Sequence, residues 1–147
     1  MPRVLICHDA PDRSATLIAW LHTVLVDPAT APAGGIVIFA PEAAASRHID
    51  QYLWSTPVTS FIPHCHSSSA LAAETPLLIA DRLDQLARRQ KLINFSDDIP
   101  PGYEQFDELI EIVTQAESVR NPARQRARHY RDQGYEVHFR DLRKDPL

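Results

Sequence analysis

Arg120, Arg124 and Arg128 recur every fourth residue along the segment Glu117 to Gln133, and Arg131 continues the line. At that spacing they share one face of a helix, where like charges cost about a few tenths of a kcal/mol each. A guanidinium fork grips a carboxylate or phosphate through two parallel hydrogen bonds, so such a stripe suits an anionic ligand. It also reads as a plain solvated face, and spacing alone leaves both readings open. Val119, Ala123, Ala127 and Tyr130 form the neighbouring apolar stripe, which should pack on the rest of the fold. Gly134 is a natural stop for this helix.

A second feature is the stretch Leu53 to His64, where Trp54 and Phe61 sit among Pro57 and Pro63. Exposed aromatics of this kind anchor protein partners, because they remove much apolar area from water at low entropy cost. The same rings could instead plug the edge of the core. His64, Cys65 and His66 offer metal-ligand atoms, but neighbours in an extended chain point to opposite faces and do not readily close on one ion. They read as incidental residues of a loop, and no metal is expected. Cys65 lacks an assignable base and oxyanion hole, which a nucleophile needs. The pairs Asp97-Asp98 and Asp81/Asp84 fall in polar turns, where carboxylates usually cap or are solvated. Phosphate binding in α/β folds uses a glycine-rich turn before a helix. The chain has four glycines, and its first turn, Cys7 to Asp12, has none and carries two carboxylates. No catalytic residue, cofactor or nucleotide-binding loop is therefore expected.

The elements that must carry these residues are legible from apolar runs. Val4–Cys7, Gly35–Ala40, Pro76–Ala80 and Lys91–Phe95 read as buried strands, and Tyr135–Phe139 as a half-buried final strand. Leu17, Ile18, Leu21, Val24 and Leu25 mark a helix capped by Asp12 or Ser14. Glu42 to Leu53 reads as a second helix, with Ile49 and Leu53 on one side. Asp81 to Gln90 reads as a short helix or long turn. Phe106 to Gln115 could be a helix end or a strand by period alone. Near-continuous apolar strands separated by helices predict an α/β fold, a mostly parallel sheet with helices on both faces. At 147 residues, with no dividing linker, the chain is expected to form a single domain, residues 1–147. A net charge of −4 argues against wholesale wrapping of nucleic acid but leaves room for a local basic patch. No apolar run nears the about 18 residues of a membrane span. The two cysteines and the absence of a signal-like start predict a cytoplasmic protein.

Asp50-Gln51-Tyr52-Leu53-Trp54 followed by Ser60-Phe61-Ile62-Pro63-His64 resembles the chi subunit family of bacterial DNA polymerase III holoenzyme. Collinear blocks continue the resemblance through Glu74–Ile79, Leu92–Ser96, Ile110–Val113 and Arg126–Tyr135. It implies a Rossmann-like sheet without nucleotide, in a non-catalytic accessory subunit of the clamp loader. The implied partners are a psi-type subunit and the acidic C-terminal tail of single-stranded-DNA-binding protein, so nucleic acid would be met only indirectly. Carried over by motif, Arg124 and Arg128 would hold the tail, with Arg120 assisting and Val113 lining an apolar pocket. Trp54, Phe61 and Pro63 would meet the partner subunit, a surface for which an accessory helicase competes in some family members. Where some members place an aromatic residue on the last helix, this chain has Ala127, which implies a shallower pocket. The competing expectation is a Rossmann-like enzyme acting on nucleotides or phosphoesters at the strand ends.

Overall fold

The computed structural model describes residues 3–25, 35–54, 64–66, 69, 77–84 and 90–145. Their order is β1 (Arg3–Ala10), α1 (Arg13–Leu25), β2 (Ile36–Phe39), α2 (Ala43–Trp54), β3 (His64–His66), β4 (Leu77–Ala80), β5 (Lys91–Asn94), a 3-10 turn (Tyr103–Gln105), β6 (Glu108–Thr114), α3 (Glu117–Asp132) and β7 (Glu136–Asp141). The seven strands make one sheet in the order β3-β4-β2-β5-β6-β1-β7, and every neighbouring pair is parallel. The α/β expectation is met, with the sheet parallel throughout.

Successive side chains of a strand face opposite ways, so an apolar run feeds two cores at once. Ile36, Ile38, Leu77, Ile79, Ile93, Ile110 and Ile112 join Leu17 and Leu21 of α1 and Ile49 and Leu53 of α2 on one face. Val37, Leu78, Leu92, Leu109 and Val113 join Ala123, Ala127 and Tyr130 of α3, with Tyr103 and Phe106, on the other. This explains why Phe106 to Gln115 lacked a helical period. It is the doubly covered strand β6, whose first six residues are all buried. Of the two candidate caps of α1, Asp12 serves: its Oδ1 accepts from the Ala15 N–H at 2.8 Å, and Ser14 already lies inside the helix.

One placement is corrected. His64, Cys65 and His66 are not loop residues but the edge strand β3, paired in register with Leu77, Leu78 and Ile79. Three residues between prolines and serines are too short for a pattern, and it is the neighbouring strand that holds them extended. Alternation then separates them: His64 reaches Asp50 of α2 at 3.1 Å, while Cys65 packs against the opposite core. Of the predicted Asp81 to Gln90 element, residues 81–84 form a bend and turn rather than a helix, and 85–89 lie outside the described residues. Among the described residues no helix is long and apolar enough to cross a membrane.

Candidate functional site

The helix carrying the arginines is locked to the sheet by an arginine outside the four-residue stripe. Arg126 is only 3% exposed and meets Glu111, 1% exposed, on β6. Its Nε and Nη2 donate to Glu111 Oε2 and Oε1, each at 3.0 Å, a fork-to-fork pair. Tyr130 donates its hydroxyl to Oε2 at 2.8 Å, Asn94 donates Nδ2 to it at 3.0 Å, and Arg126 Nη1 donates to the Asp97 carbonyl at 2.7 Å. Burial disfavours the Arg126 charge, but the charge and hydrogen bonds of Glu111 outweigh it and hold the guanidinium above its ordinary pKa. Burial, and then the Glu111 charge, push the Tyr130 phenol upward. A buried carboxylate in mid-strand, opposite an arginine of the next helix, was the available sequence signal. It was hidden because Arg126 looked like one more member of a basic helix.

The helix ends as its glycine requires. Gly134 adopts φ +89°, the Gly134 N–H donates to Arg131 and the Tyr135 N–H to Tyr130, and β7 starts two residues later. With α3 fixed on one face of the sheet and β7 at its edge beside β1, the flank of the helix that carries Arg120 and Arg124 borders the C-terminal halves of β1, β6 and β7.

There a cleft of about 190 Å³ opens, lined by Ile6, His8, Asp9, Val113, Arg120, Ala123, Arg124 and Phe139. The floor is apolar, from Ile6 and Val113, and Arg120 and Arg124 stand on the helical wall. A bulge shapes the β1 side: three steps from Cys7 to Ala10 face two steps from Ile112 to Thr114. Asp9 takes the left-handed φ of +60° within it, a conformation that Asp tolerates better than most residues. The bulge turns both His8 and Asp9 to the cleft, with His8 Nδ1 donating to Asp9 Oδ2 at 2.6 Å. That bond holds the Asp9 carboxyl below its usual range. Ligand atoms of His8, Asp9 and Asp141 lie within 4.8 Å of one another. Arg143 already supplies their counter-charge, at 3.2 Å from Asp141 and 3.5 Å from Asp9.

Three of the four tail-site residues named from sequence, Arg120, Arg124 and Val113, thus come together at one cleft. Arg128 is exposed but does not line it. Each four-residue step turns a helix about 40° past a full revolution, so the stripe winds away from the sheet as it proceeds. Ala127 does not line the cleft either: it is buried beneath the helix, and the aromatic at this site is Phe139 of β7. Arg3, Arg13, Arg82, Arg126, Arg140 and Arg143 each face a carboxylate. Among the described residues, Arg120, Arg124 and Arg128 face none.

Of the second predicted surface, Phe61 and Pro63 lie outside the described residues. Trp54, at the end of α2, is 61% exposed, with its ring 5.2 Å from that of His64. Cys7 is fully buried, and desolvation pushes its thiol up to about 11, which makes it a poor nucleophile. A larger cleft of about 640 Å³ sits where folds of this class take phosphates, but Asp9 and Asp12 face into it and the turn contains no glycine.

Comparison with known proteins settles the family. The model of the family described as DNA polymerase III chi subunit, HolC, matches residues 1–138. The chain belongs to the DNA polymerase III chi subunit family. Among its relatives, DNA polymerase III subunit chi of Haemophilus influenzae is 30% identical over 103 residues, 69% of this chain and 72% of that protein. The Pseudomonas aeruginosa subunit chi is 30% identical over 100 residues, 68% and 69% of the two chains. That of Escherichia coli is 25% identical over 103 residues, 69% and 70%. Chi subunits are accessory, non-catalytic members of the replicative polymerase, so the family decides against the enzyme alternative and implies protein partners within that assembly.

Proposed function

We propose that this chi-family chain is a cytoplasmic adaptor that binds the acidic C-terminal tail of single-stranded-DNA-binding protein and, through a second surface, a psi-type subunit of the clamp loader. The observation that carries the first half is the cleft where Arg120 and Arg124, which face no carboxylate among the described residues, border an apolar floor containing Val113. A peptide terminus that combines a carboxylate with an apolar side chain matches both features. The arginines take the carboxylate in a charge-assisted contact while the side chain enters the cleft. Acidic residues upstream would then run along the outer face of α3 toward Arg128.

The second surface is built around Trp54, with Phe61 and Pro63 as its further members. A tryptophan left in water at a helix end suits a partner that covers it. Coupling the two surfaces would link the polymerase assembly to DNA coated with the tail-bearing protein, without direct contact between this chain and DNA.

Titration of the purified chain with the tail peptide tests the tail reading. Binding should require the peptide's terminal residues and weaken as salt is raised, because the arginines are solvent-facing. Unchanged affinity in both Arg124→Ala and Arg128→Ala would sink it. The partner surface is tested separately: Trp54→Ala should reduce capture of the psi-type subunit and leave the peptide titration as it was.

A further inference from the structure

The sheet ends on two unequal edges. β3 offers three residues, whereas β7 runs for six, Glu136–Asp141, and among the described residues pairs only with β1. A long open edge strand is a template for another strand unless something blunts it. One bond shows which of its backbone groups face outward. The N–H of Leu142, the residue after the strand, donates to the His8 carbonyl of β1. By alternation the even-numbered residues of β7 bond inward, and Val137, Phe139 and Asp141 turn their N–H and C=O groups away from β1.

The side chains on this edge complement themselves. In an antiparallel pair of identical strands, outward-bonding residues must meet one another. With His138 on the two-fold axis, Val137 lies opposite Phe139 of a second copy, and Glu136 lies opposite Arg140. Each pair occurs on both sides of the axis, the apolar pairs on the α3 face and the opposite charges on the other face. Val137 is only partly buried and Phe139 is 55% exposed, so both gain cover. Glu136 meets His138 through Oε1 at 3.0 Å. Arg140 holds Asp145 at 3.2 Å, and its guanidinium carries more N–H donors than one carboxylate can accept. Sliding the register by one pleat either way loses the match, setting Arg140 against Gly134 or Glu136 against Leu142.

We infer that β7 is a self-association edge: two copies of this chain pair antiparallel through Glu136–Arg140, with His138 on the two-fold axis, and join their seven-stranded sheets into one. The axis stands perpendicular to the sheet, so both α3 helices lie on the same face of the assembly. Trp54, whose ring lies beside that of His64 on β3, is at the opposite edge and stays clear of the contact. The interface is one strand wide, at the small end of specific contacts, and pairing is therefore concentration-dependent.

Analytical ultracentrifugation of the full chain, with no peptide or partner added, tests this. The weight-average mass should rise from 16.6 kDa toward twice that between about 1 µM and 1 mM. Glu136→Arg sets like charges opposite each other at both ends of the interface, and so does Arg140→Glu. Each variant alone should dimerise about 10- to 30-fold more weakly than wild type. Mixed in equal amounts, the two restore opposite charges and should pair with each other as well as wild type pairs with itself. Thermal melts confirm folding, and the exposed Glu136 supplies a reversal that does not depend on Arg140→Glu being stable. His138→Cys reads the register, since partners on the axis lie about 4.5 Å apart at Cα, within disulfide reach. Mild oxidation should link two copies of that variant but not of Glu136→Cys, which stands opposite Arg140 and not itself. A mass that stays at one chain throughout overturns the inference, and so do dimers that charge reversal leaves intact.

Discussion

Two sets of arginines on the same sixteen-residue helix do opposite work. Arg126 faces the sheet, surrenders its hydration and is held by Glu111 and the Asp97 carbonyl. Arg120 and Arg124 lie on the other flank of the helix, Arg120 half-buried and Arg124 exposed, and face no carboxylate among the described residues. The difference shows that charge type does not set the role of an arginine. Its angular position relative to the buried stripe does. An arginine whose carboxylate lies within the fold spends its hydrogen bonds on fixing the helix. One without an internal partner remains available for an anion from outside. The first makes the second useful, because a guanidinium aimed from a loose helix would lose its advantage to conformational entropy.

The comparison breaks first on the buried side. Arg126→Ala leaves Glu111 buried without its counter-charge, which should cost about 3–5 kcal/mol of stability, read by urea unfolding. Replacing the network together, with Glu111→Leu, Arg126→Met and Tyr130→Phe, should cost less than the single change, since no buried charge or hydroxyl is then orphaned. If the triple variant is the less stable, the network contributes more than its desolvation cost. On the open side, Arg124→Ala should weaken tail-peptide binding by about 1–3 kcal/mol and leave the unfolding midpoint nearly unmoved. A large fall in stability there would mean that Arg124 belongs with Arg126.

The same angular logic explains what could be read in advance. Strands β2, β4 and β5 declared themselves because uninterrupted apolar runs need cover on both faces, and α3 and its end at Gly134 followed from spacing and one glycine. Arg120, Arg124 and Val113 were legible because a four-residue repeat and a family motif name them without any knowledge of depth. What could not be read was tertiary in origin. Arg126 differs from Arg124 only by facing Glu111 across fifteen residues of sequence. Phe139 sat in an alternating run that declared a half-buried strand, and its exposure appears only once β7 is an edge strand beside β1. The bulge that turns His8 and Asp9 into the cleft needs β6 as the reference against which β1 carries an extra residue. β3 was missed for a similar reason, its extension being imposed by β4.

The smallest effects sharpen the comparison most, because they ask how far the open set extends. Arg128 is exposed, lies outside the cleft lining and is rotated about 40° beyond Arg124 by helical geometry. On the proposed tail-binding reading, it meets the acidic residues upstream of the terminus and not the terminal carboxylate itself. Arg128→Ala should therefore cost less than Arg124→Ala, on the order of 0.5–1 kcal/mol as for an exposed ion pair, and the loss should fade as salt rises. Arg131 is also exposed, but lies a further turn from the cleft, toward the end of the helix. Arg131→Ala should change binding by less than about 0.5 kcal/mol, within the range of an ordinary surface substitution. The expected order of loss in isothermal titration is thus Arg124, Arg128, Arg131. An inverted order would mean that the peptide docks along the outer helix face, with the cleft beside Phe139 left out of the binding site.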